Sequence, residues 1–439
     1  MANFLQLLLY TGVVLFAPSL ALEATTGLSG TTSVLLIGII CTFYSTVGGI
    51  KAVLITDVFQ GVLMFAAIFC IVGIAAGDLE EGLSNVWSTA NQGGRINFFE
   101  FDPTIRHTTW CLLIGGTSMF LSLYAVNQVQ VQRLNLKASQ NALMLSGPIV
   151  LAMGAVTSYA GLVLYAVYKD CDPVLSGKIS SFDKIMPFFS AERMSRVPGL
   201  TGLFISGVFS ASLSTISAML NSMAAVALED YVKPLYRKLG ARFPDEKATL
   251  IGKGLAISNG FLCLAVTFLA RTLGSLVEAA IGVSGAIGGP LLGIFTLGMF
   301  LEDANEIGAV TGTITALVIC LWAAFGQPKP VAPKLPLSIV GCDNSTILSN
   351  EYLISSDTDD TFYLYRISYM WYNPMGLAIT LIVGYLTSLI VKKVLRSDTR
   401  QPDPNLFIPI LASRIKQRRQ DAERTTSSQI FVLEPKRSQ

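Results

Sequence analysis

The chain has 439 residues, of which 52% are hydrophobic and 14% are charged, and its formal net charge is +2. In soluble globular proteins about a quarter of the residues are charged, so this composition excludes an ordinary soluble enzyme. The small net charge gives no reason to expect a nucleic-acid partner. The apolar residues come instead in long blocks, the pattern of helices that cross a bilayer. We therefore predict an all-α, polytopic membrane protein whose immediate surroundings are the lipid bilayer.

About ten apolar segments are near the ~20 residues that the hydrocarbon core requires. In chain order, the predicted helices cover residues 3–22, 31–49, 52–77, 108–128, 141–168, 199–228, 248–270, 276–300, 307–326 and 374–395. They define a transmembrane domain over residues 1–395. The remaining residues, 396–439, are polar and are expected to form a disordered cytoplasmic tail.

Basic residues predict the orientation, because loops rich in Lys and Arg stay in the cytoplasm. They collect on one side of the predicted helices, whereas the acidic GDLEEG stretch (residues 77–82) and the glycosylation sequon at Asn344 fall on the other. Both ends of this chain are therefore predicted to be cytoplasmic, and Asn344 is predicted to be glycosylated outside the cell. Cys171 and Cys342 also fall in outer loops, where the sequence is compatible with a disulfide between them or with two unpaired thiols.

The segment 199–228 carries many hydroxyl groups, in FSASLSTISAMLNS (residues 209–222). Residues three and four apart share a helix face, so one stripe collects small and polar side chains: Ala211, Ser214, Thr215, Ala218, Asn221 and Ser222. Two explanations stay open. Small residues and hydroxyls allow close helix packing, whereas the carbonyl of Ala211 and the hydroxyls of Ser214 and Thr215 offer three hard oxygen ligands to an alkali cation.

Two other spans carry features that a lipid-facing helix does not need. Asp57 lies within the predicted helix 52–77, where a carboxylate is costly and usually marks a site; the alternative is a position at the membrane edge that faces water. The stretch VSGAIGGPLLG (residues 283–293) predicts a kinked or broken helix, as in transporters whose unwound segments line an ion site. Glycine-mediated helix packing is the alternative there.

Four stretches carry a resemblance to a known family: TFYSTVGGIKAVLITDVFQGVLMF (42–65), LSLYAVNQVQVQR (121–133), FSASLSTISAMLNSMAAVALEDY (209–231) and EAAIGVSGAIGGPLLGIFTLGMF (278–300). Together they resemble the sodium–solute symporters, which include sodium–glucose, iodide, monocarboxylate and multivitamin cotransporters. The resemblance implies a leucine-transporter-like fold of two five-helix repeats with inverted topology, and ion and substrate sites near the bilayer midplane.

The resemblance also implies specific sites. It places the family's conserved sodium site at Ala211, Ser214 and Thr215, and a second sodium position of some members at Asp57, Thr215 and Ser217. It further implies a transporter rather than an enzyme, with sodium as the coupling ion and no other cofactor.

The substrate follows from differences within the family. Where sugar-transporting members carry a run of aromatics, this chain keeps one, Tyr124, and Ile281 replaces a sugar-binding Gln. Both differences argue against sugars, and the neighbouring stretches look most like the monocarboxylate and multivitamin branch. A small organic anion, such as a monocarboxylate, biotin or pantothenate, is therefore expected. Tyr124, Asn127 and Gln128 are candidate pocket residues, although each could equally pack or cap the end of its helix.

The chain departs from the family at its beginning. Members carry about three further helices before the point that Met1 matches, so we expect the first five-helix repeat to be truncated. The leading hypothesis is a plasma-membrane symporter in which inward sodium flow drives uptake of a small organic anion by alternating access. The alternatives are a sodium-coupled symporter for iodide or another small solute, and a truncated, non-transporting regulatory relative.

Overall fold

The computed structural model describes residues 1–79, 82–96, 102, 105, 107–131, 136–271, 275–326, 335–342, 362–395 and 403–433, which form helices and loops without a strand. Ten helices organise this part of the chain: α1 (Ala2–Thr26), α2 (Gly30–Asp78), α3 (Cys111–Val126), α4 (Leu136–Tyr168), α5 (Leu200–Val226), α6 (Ala248–Ala270), α7 (Leu276–Phe300), α8 (Glu306–Phe325), α9 (Tyr372–Leu395) and α10 (Pro409–Leu433). Short helices between them include Val86–Gln92, Gln128–Val131 and Ile185–Glu192. The predicted glycosylation site, Asn344, lies outside the described residues.

Nine helical stretches of the described chain are long and apolar enough to cross a membrane, and α2 supplies two of them, Gly30–Gly48 and Ile55–Asp78. The others are α1 and α4 to α9, with α5 continuing to Lys238. α3 is apolar but shorter. These helices confirm the prediction of an all-α, multi-pass membrane protein, and α3 makes up the tenth apolar helix.

The backbone of α2 is helical throughout residues 30–78, where the sequence predicts two helices. Contacts between the two halves of α2 nevertheless require the chain to reverse its direction between them. Tyr44 and Thr56 would lie about 18 Å apart along a straight helix with a rise of 1.5 Å per residue, yet their hydroxyl groups are hydrogen-bonded to each other. Ser45 and Asp57, from the two halves of α2, also both contact α5. The two halves therefore lie side by side against α5, as two separate spans would.

α3 is shorter and less regular than the predicted helix. Its first and last parts, Cys111–Gly116 and Ser122–Val126, are wound as π-helix, and the backbone leaves helical geometry at Asn127. Such wide turns are frequent at functional sites. A Cβ atom at Gly115 would lie only 2.5 Å from the carbonyl oxygen of Met370, so the glycine lets α3 approach the segment that leads into α9.

α7 is not broken at its glycine- and proline-rich stretch, since it remains α-helical through Pro290. Instead the glycines bring α7 and α9 together. A Cβ atom at Gly289 would lie 2.3 Å from the carbonyl oxygen of Asn373, and one at Gly376 would lie 2.4 Å from the Cδ atom of Pro290. Glycine-mediated packing, the alternative left open by the sequence, is therefore what this stretch provides.

Three buried apolar clusters hold the helices in place. The first joins α1, the first half of α2, α5 and α6, and includes Ile37 and Leu220. The second joins the other half of α2 with α4 and the beginning of α5, around Phe204. The third joins α3, α7, α8 and the chain that enters α9. Because α5 belongs to two of these clusters, its polar stripe is held in a fixed position relative to both halves of α2.

The tail differs from the expected disorder, because residues 409–433 form the helix α10. Ile415 is only 4% exposed, and Arg418 pairs with Glu302, in the loop between α7 and α8, at 3.0 Å. The backbone N–H of Ile408 also donates to the carbonyl oxygen of Met299 at 3.3 Å. One buried isoleucine and these polar contacts dock the helix, which the polar composition of the tail did not reveal.

The two loops that carry Cys171 and Cys342 are joined in the structure. The cysteines form a disulfide, with their Cα atoms 5.0 Å apart. The N–H of Gly341 donates to the carbonyl oxygen of Asp170 at 2.9 Å, so backbone contacts hold the same loops together. Of the two arrangements that the sequence left open, the structure contains the paired one.

Candidate functional site

The centre of the candidate site is a contact between α2 and α5. The hydroxyl of Ser214 donates to the Oδ1 atom of Asp57 at 2.6 Å. Asp57 lies three residues into the span Ile55–Asp78 and is half-buried. The sequence analysis named Asp57 and Ser214 as candidate site residues on separate helices. The structure brings them together because α2 folds back along α5.

Further oxygen atoms follow Ser214 on α5. The hydroxyl of Thr215 donates to the backbone carbonyl oxygen of Ala211 at 3.1 Å. The hydroxyl of Ser217 donates to the backbone carbonyl oxygen of Ser214, also at 3.1 Å. Hard cations of sodium's size hold oxygens at about 2.4 Å, which places neighbouring ligand oxygens about 3 to 3.5 Å apart. The spacing on this part of α5 is compatible with that of neighbouring ligands, and it is also that of the hydrogen bonds that hydroxyls on other helices make to the preceding turn.

The chemistry of these atoms fits a monovalent alkali cation. All are oxygens, which are the ligands that hard cations prefer, and Asp57 supplies one negative charge. Among the described residues, no group of three or more His, Cys, Asp or Glu side chains could hold a metal ion. Because the Ser214 hydroxyl donates its hydrogen bond to the carboxylate, its lone pairs remain available to an ion.

A second set of polar contacts fixes α5 against the first half of α2. Ser45, which is 1% exposed, donates to the carbonyl oxygen of Ser217 at 3.1 Å. Asn221 donates to that same carbonyl at 2.8 Å and to the hydroxyl of Ser45 at 3.3 Å. Sequence reasoning missed Ser45, because a serine in an apolar helix gives no signal until its partner is known.

The residues of the stripe on α5 fall into two groups that differ in burial. Ala218 and Ser222 are buried against neighbouring helices, as close packing requires. Ala211, Ser214 and Thr215, the candidate sodium ligands, are only half-buried. The packing role and the candidate ion site therefore occupy different residues of one helix.

The three candidate pocket residues lie at the end of α3. Tyr124 stacks on Phe120 with ring centroids 6.2 Å apart. The Oδ1 atom of Asn127 accepts the N–H of Val129 at 2.9 Å, so Asn127 starts the short helix Gln128–Val131, which is the capping role. Gln128 is half-buried. The next residue, Val129, belongs to the same apolar cluster as Leu220, and places this end of α3 against the last turns of α5.

A polar cluster beside α7 was not predicted from the sequence. The hydroxyl of Ser122 donates to the carbonyl oxygen of Gly288 at 2.9 Å, and Gln6 donates to that of Ser284 at 3.4 Å. The hydroxyl of Ser118 lies 2.6 Å from the side-chain amide of Asn373. These contacts join α1, α3, α7 and α9 where the glycines of α7 let the backbones approach, so they stabilise helix packing.

Comparison with known proteins decides the family. A family model for the sodium:solute symporter family matches residues 1–316. The chain belongs to this family. Its members and the relatives below are transporters rather than enzymes, which confirms the resemblance carried by the four sequence stretches.

Three relatives show how much of the chain is similar to known proteins and at what sequence identity. A putative sodium-dependent multivitamin transporter of Drosophila melanogaster is 43% identical over 94% of this chain and 72% of its own length. Sodium-coupled monocarboxylate transporter 1 of Homo sapiens is 39% identical over 88% of this chain and 66% of its own. The sodium-dependent multivitamin transporter of Oryctolagus cuniculus is 35% identical over 92% of this chain and 65% of its own. The chain therefore spans about two thirds of the length of these relatives.

A solved structure confirms the fold class. A sodium-coupled sialic acid symporter in a substrate-bound, outward-open state superposes with a TM-score of 0.69 and covers 91% of this chain and 75% of its own. The two sequences are 22% identical. At that identity the likeness extends to the arrangement of the helices, and the sites of this family member are argued from its own residues.

Proposed function

We propose that this protein is a sodium-coupled symporter that moves a small organic anion across the plasma membrane by alternating access, with sodium bound on α5 at Ala211, Ser214 and Thr215. The pairing of Asp57 with Ser214 carries the proposal. A carboxylate inside a membrane span has a high free-energy cost unless it serves a site, and here it is directed at the hydroxyl that the sodium hypothesis names.

The position of this site explains how an ion could influence conformation. Asp57, on α2, is a proposed ligand of the second sodium position and contacts Ser214 of the first, whereas every other proposed ligand belongs to α5. Sodium bound here would therefore attract both helices and neutralise the carboxylate between them. An ion changes a conformational equilibrium only by binding one state more tightly than the other. A site divided between two helices provides that difference, because relative movement of the helices disperses its ligands. Asp57, Thr215 and Ser217 would form the second sodium position.

The substrate class is proposed from the relatives, whose names specify monocarboxylates and multivitamins. Tyr124 and Gln128 are the proposed pocket residues, since they lie near the end of α3 that meets α5 and Tyr124 adds an aromatic ring. Asn127 is a weaker candidate because its side-chain oxygen already caps a helix. We also propose that both ends of this chain are cytoplasmic and that Asn344 is glycosylated on the outer side.

The decisive test compares uptake by the parent protein with uptake by Ser214→Ala at equal surface expression. Radiolabelled lactate, biotin, pantothenate and iodide are offered in sodium and in choline. We expect sodium-dependent uptake of an organic anion, and a higher sodium half-saturation in Ser214→Ala and in Thr215→Ala. Ser206→Ala is the matched control, since its hydroxyl lies two turns earlier on α5 and bonds to the carbonyl of Leu203.

Three results would contradict parts of the proposal. Sodium-dependent uptake of iodide alone would replace the anion class. Surface-expressed protein with no sodium-dependent flux would favour the non-transporting relative. An unchanged half-saturation in both α5 variants would remove Ala211, Ser214 and Thr215 as the sodium site.

A further inference from the structure

The tail helix α10 is held at the level where the membrane spans end. Arg418 pairs with Glu302 at 3.0 Å, and the backbone N–H of Ile408 donates to the carbonyl oxygen of Met299 at 3.3 Å. Both acceptors lie where the span Leu276–Phe300 gives way to the loop before α8. α10 therefore docks beside the boundary between the bilayer and water.

The same two contacts give the direction of α10. A helix directed away from the membrane would carry Arg418 about 15 Å farther from the loop than Ile408, because the rise is 1.5 Å per residue. Arg418 nevertheless reaches Glu302, which is only three residues after the partner of Ile408. α10 therefore runs across the loop, along the membrane boundary.

The two sides of α10 differ in character. Towards the protein the helix is apolar: Ile415 is buried, and Leu411 and Ala412, one turn before it, are half-buried. Arg414 and Lys416 are exposed. Neither of these two cations forms an ion pair with a residue that the structure describes.

The acidic residues of the neighbouring loop do not neutralise these cations. Glu302 pairs with Arg418, and Asp303 pairs with Lys392. The second pair brings the end of α9 to the same loop. There the next residue, Lys393, is exposed and has no ionic partner within the described part of the chain. The membrane boundary beside α10 therefore carries positive charge that the polypeptide leaves unpaired.

Exposed apolar side chains accompany this charge. Leu406, just before α10, is 68% exposed, and Ile410, in its first turn, is 66% exposed. Ile410 lies four residues before Arg414, so the two share one side of the helix. Helices that lie in the interface of a bilayer combine basic and apolar groups in this way, and anionic lipid headgroups attract basic residues that lie next to the membrane.

We propose that α10 is a membrane-surface helix that binds the headgroups of anionic phospholipids through Arg414 and Lys416, with Leu406 and Ile410 directed into the boundary of the acyl chains. The occupant of this surface is the bilayer in which the chain itself is embedded. The surface is separate from the proposed sodium site on α5, so the two can be tested independently.

The test follows amide hydrogen exchange of residues 409–421 in the purified full chain, because exchange reports local opening of a helix. Nanodiscs of phosphatidylcholine are compared with nanodiscs of an equimolar mixture of phosphatidylcholine and phosphatidylserine, at low and at high salt. Arg414→Gln/Lys416→Gln removes both charges, whereas Arg414→Lys/Lys416→Arg keeps them. Ser413→Ala/Gln417→Ala is the matched control, since it changes two exposed, neutral residues of the same helix.

We expect phosphatidylserine to slow the exchange of α10 in the parent by about fivefold for each of the two cations. This slowing should be lost in Arg414→Gln/Lys416→Gln and should persist in the charge-preserving variant and in the neutral control. High salt should reduce it in the parent, because surface charges are screened. The salt dependence tests the role of charge without any substitution.

Four results would overturn the inference. The first is equal exchange of α10 in the two lipid mixtures, and the second is equal slowing in the parent and in Arg414→Gln/Lys416→Gln. The third is loss of the slowing in the neutral control as well, which would indicate a disturbed helix rather than lost charge. The fourth is the same slowing by inorganic phosphate in phosphatidylcholine nanodiscs, which would indicate a site for a soluble anion instead of a membrane surface.

Discussion

Replacing Asp57 by Asn is the sharpest perturbation of the proposed ion site. Asparagine has nearly the same shape and still accepts the hydrogen bond of Ser214, which now joins Asp57 and Ser214 at 2.6 Å. The change therefore removes one negative charge and keeps the contact with Ser214. Any loss of sodium binding in Asp57→Asn can be attributed to the charge.

The size of the effect follows from the geometry. An ion held by the Ser214 hydroxyl at about 2.4 Å lies no more than about 5 Å from the Asp57 oxygen, because the two oxygens are 2.6 Å apart. At an effective dielectric constant near 20, a pair of unit charges at about 4 to 5 Å attracts by about 3 to 4 kcal/mol. Dehydration of the ion offsets part of this, so we expect Asp57→Asn to weaken sodium binding by about 10- to 100-fold, or about 1.4 to 2.8 kcal/mol.

The assay is the sodium dependence of the unfolding midpoint and of ²²Na⁺ binding, compared with Asp303→Asn. Asp303 is the control because it is an exposed aspartate in the loop before α8, paired with Lys392. Sodium binding should be weakened in Asp57→Asn and unchanged in Asp303→Asn. Equal sodium affinity in Asp57→Asn and the parent would show that no ion binds beside Ser214, since a charge within about 5 Å of the ion cannot be without effect.

Three other predictions concern the fold around the site. Gly289→Ala should lower the unfolding midpoint, because its Cβ atom would lie 2.3 Å from a backbone oxygen on α9. Gly298→Ala, on the same helix, places a Cβ atom with nothing within 4 Å and should be neutral. Similar midpoints in the two variants would contradict the packing described for α7. Cys171 and Cys342 should resist thiol labelling until the protein is reduced, and labelling of both without reductant would exclude their disulfide. Burial raises the pKa of Asp183 above its ordinary value. The folded protein therefore loses stability as the pH rises from the unfolded pKa through the folded pKa, because the buried carboxyl must then carry a charge. Asp183→Asn keeps an acceptor for the N–H of Leu276 and should be more stable than the parent at neutral pH and not at acidic pH; a difference that does not depend on pH would contradict this.

Much of the architecture could be predicted from the sequence, because a bilayer constrains it strongly. Backbone polar groups must be satisfied within each span, so the length and apolarity of a segment nearly determine a helix. The ends are less constrained. α3 is shortened by π turns that depend on its contact with the chain before α9, and α10 depends on the burial of Ile415. Both effects come from tertiary packing, which composition does not report.

Part of the candidate site could also be predicted, because polar and charged residues stand out within an apolar membrane span. Ser214 and Thr215 could be found because their helical spacing puts hydroxyls on one face, and Asp57 because a charge in a span is conspicuous. Ser45 could not, since it is an ordinary polar residue until the folding back of α2 places it against α5. The distinction between ligand and packing residue also required the structure, because spacing alone does not tell which hydroxyls are buried.

The most direct measurement of the central claim is a high-resolution density map of the protein in lipid, recorded in sodium and again in choline. We expect a peak present only in sodium, within about 2.3 to 2.6 Å of the Ser214 hydroxyl and the Ala211 carbonyl, and on the side of α5 that faces Asp57. Maps that are identical in the two salts, or a sodium-dependent peak away from α5, would contradict it.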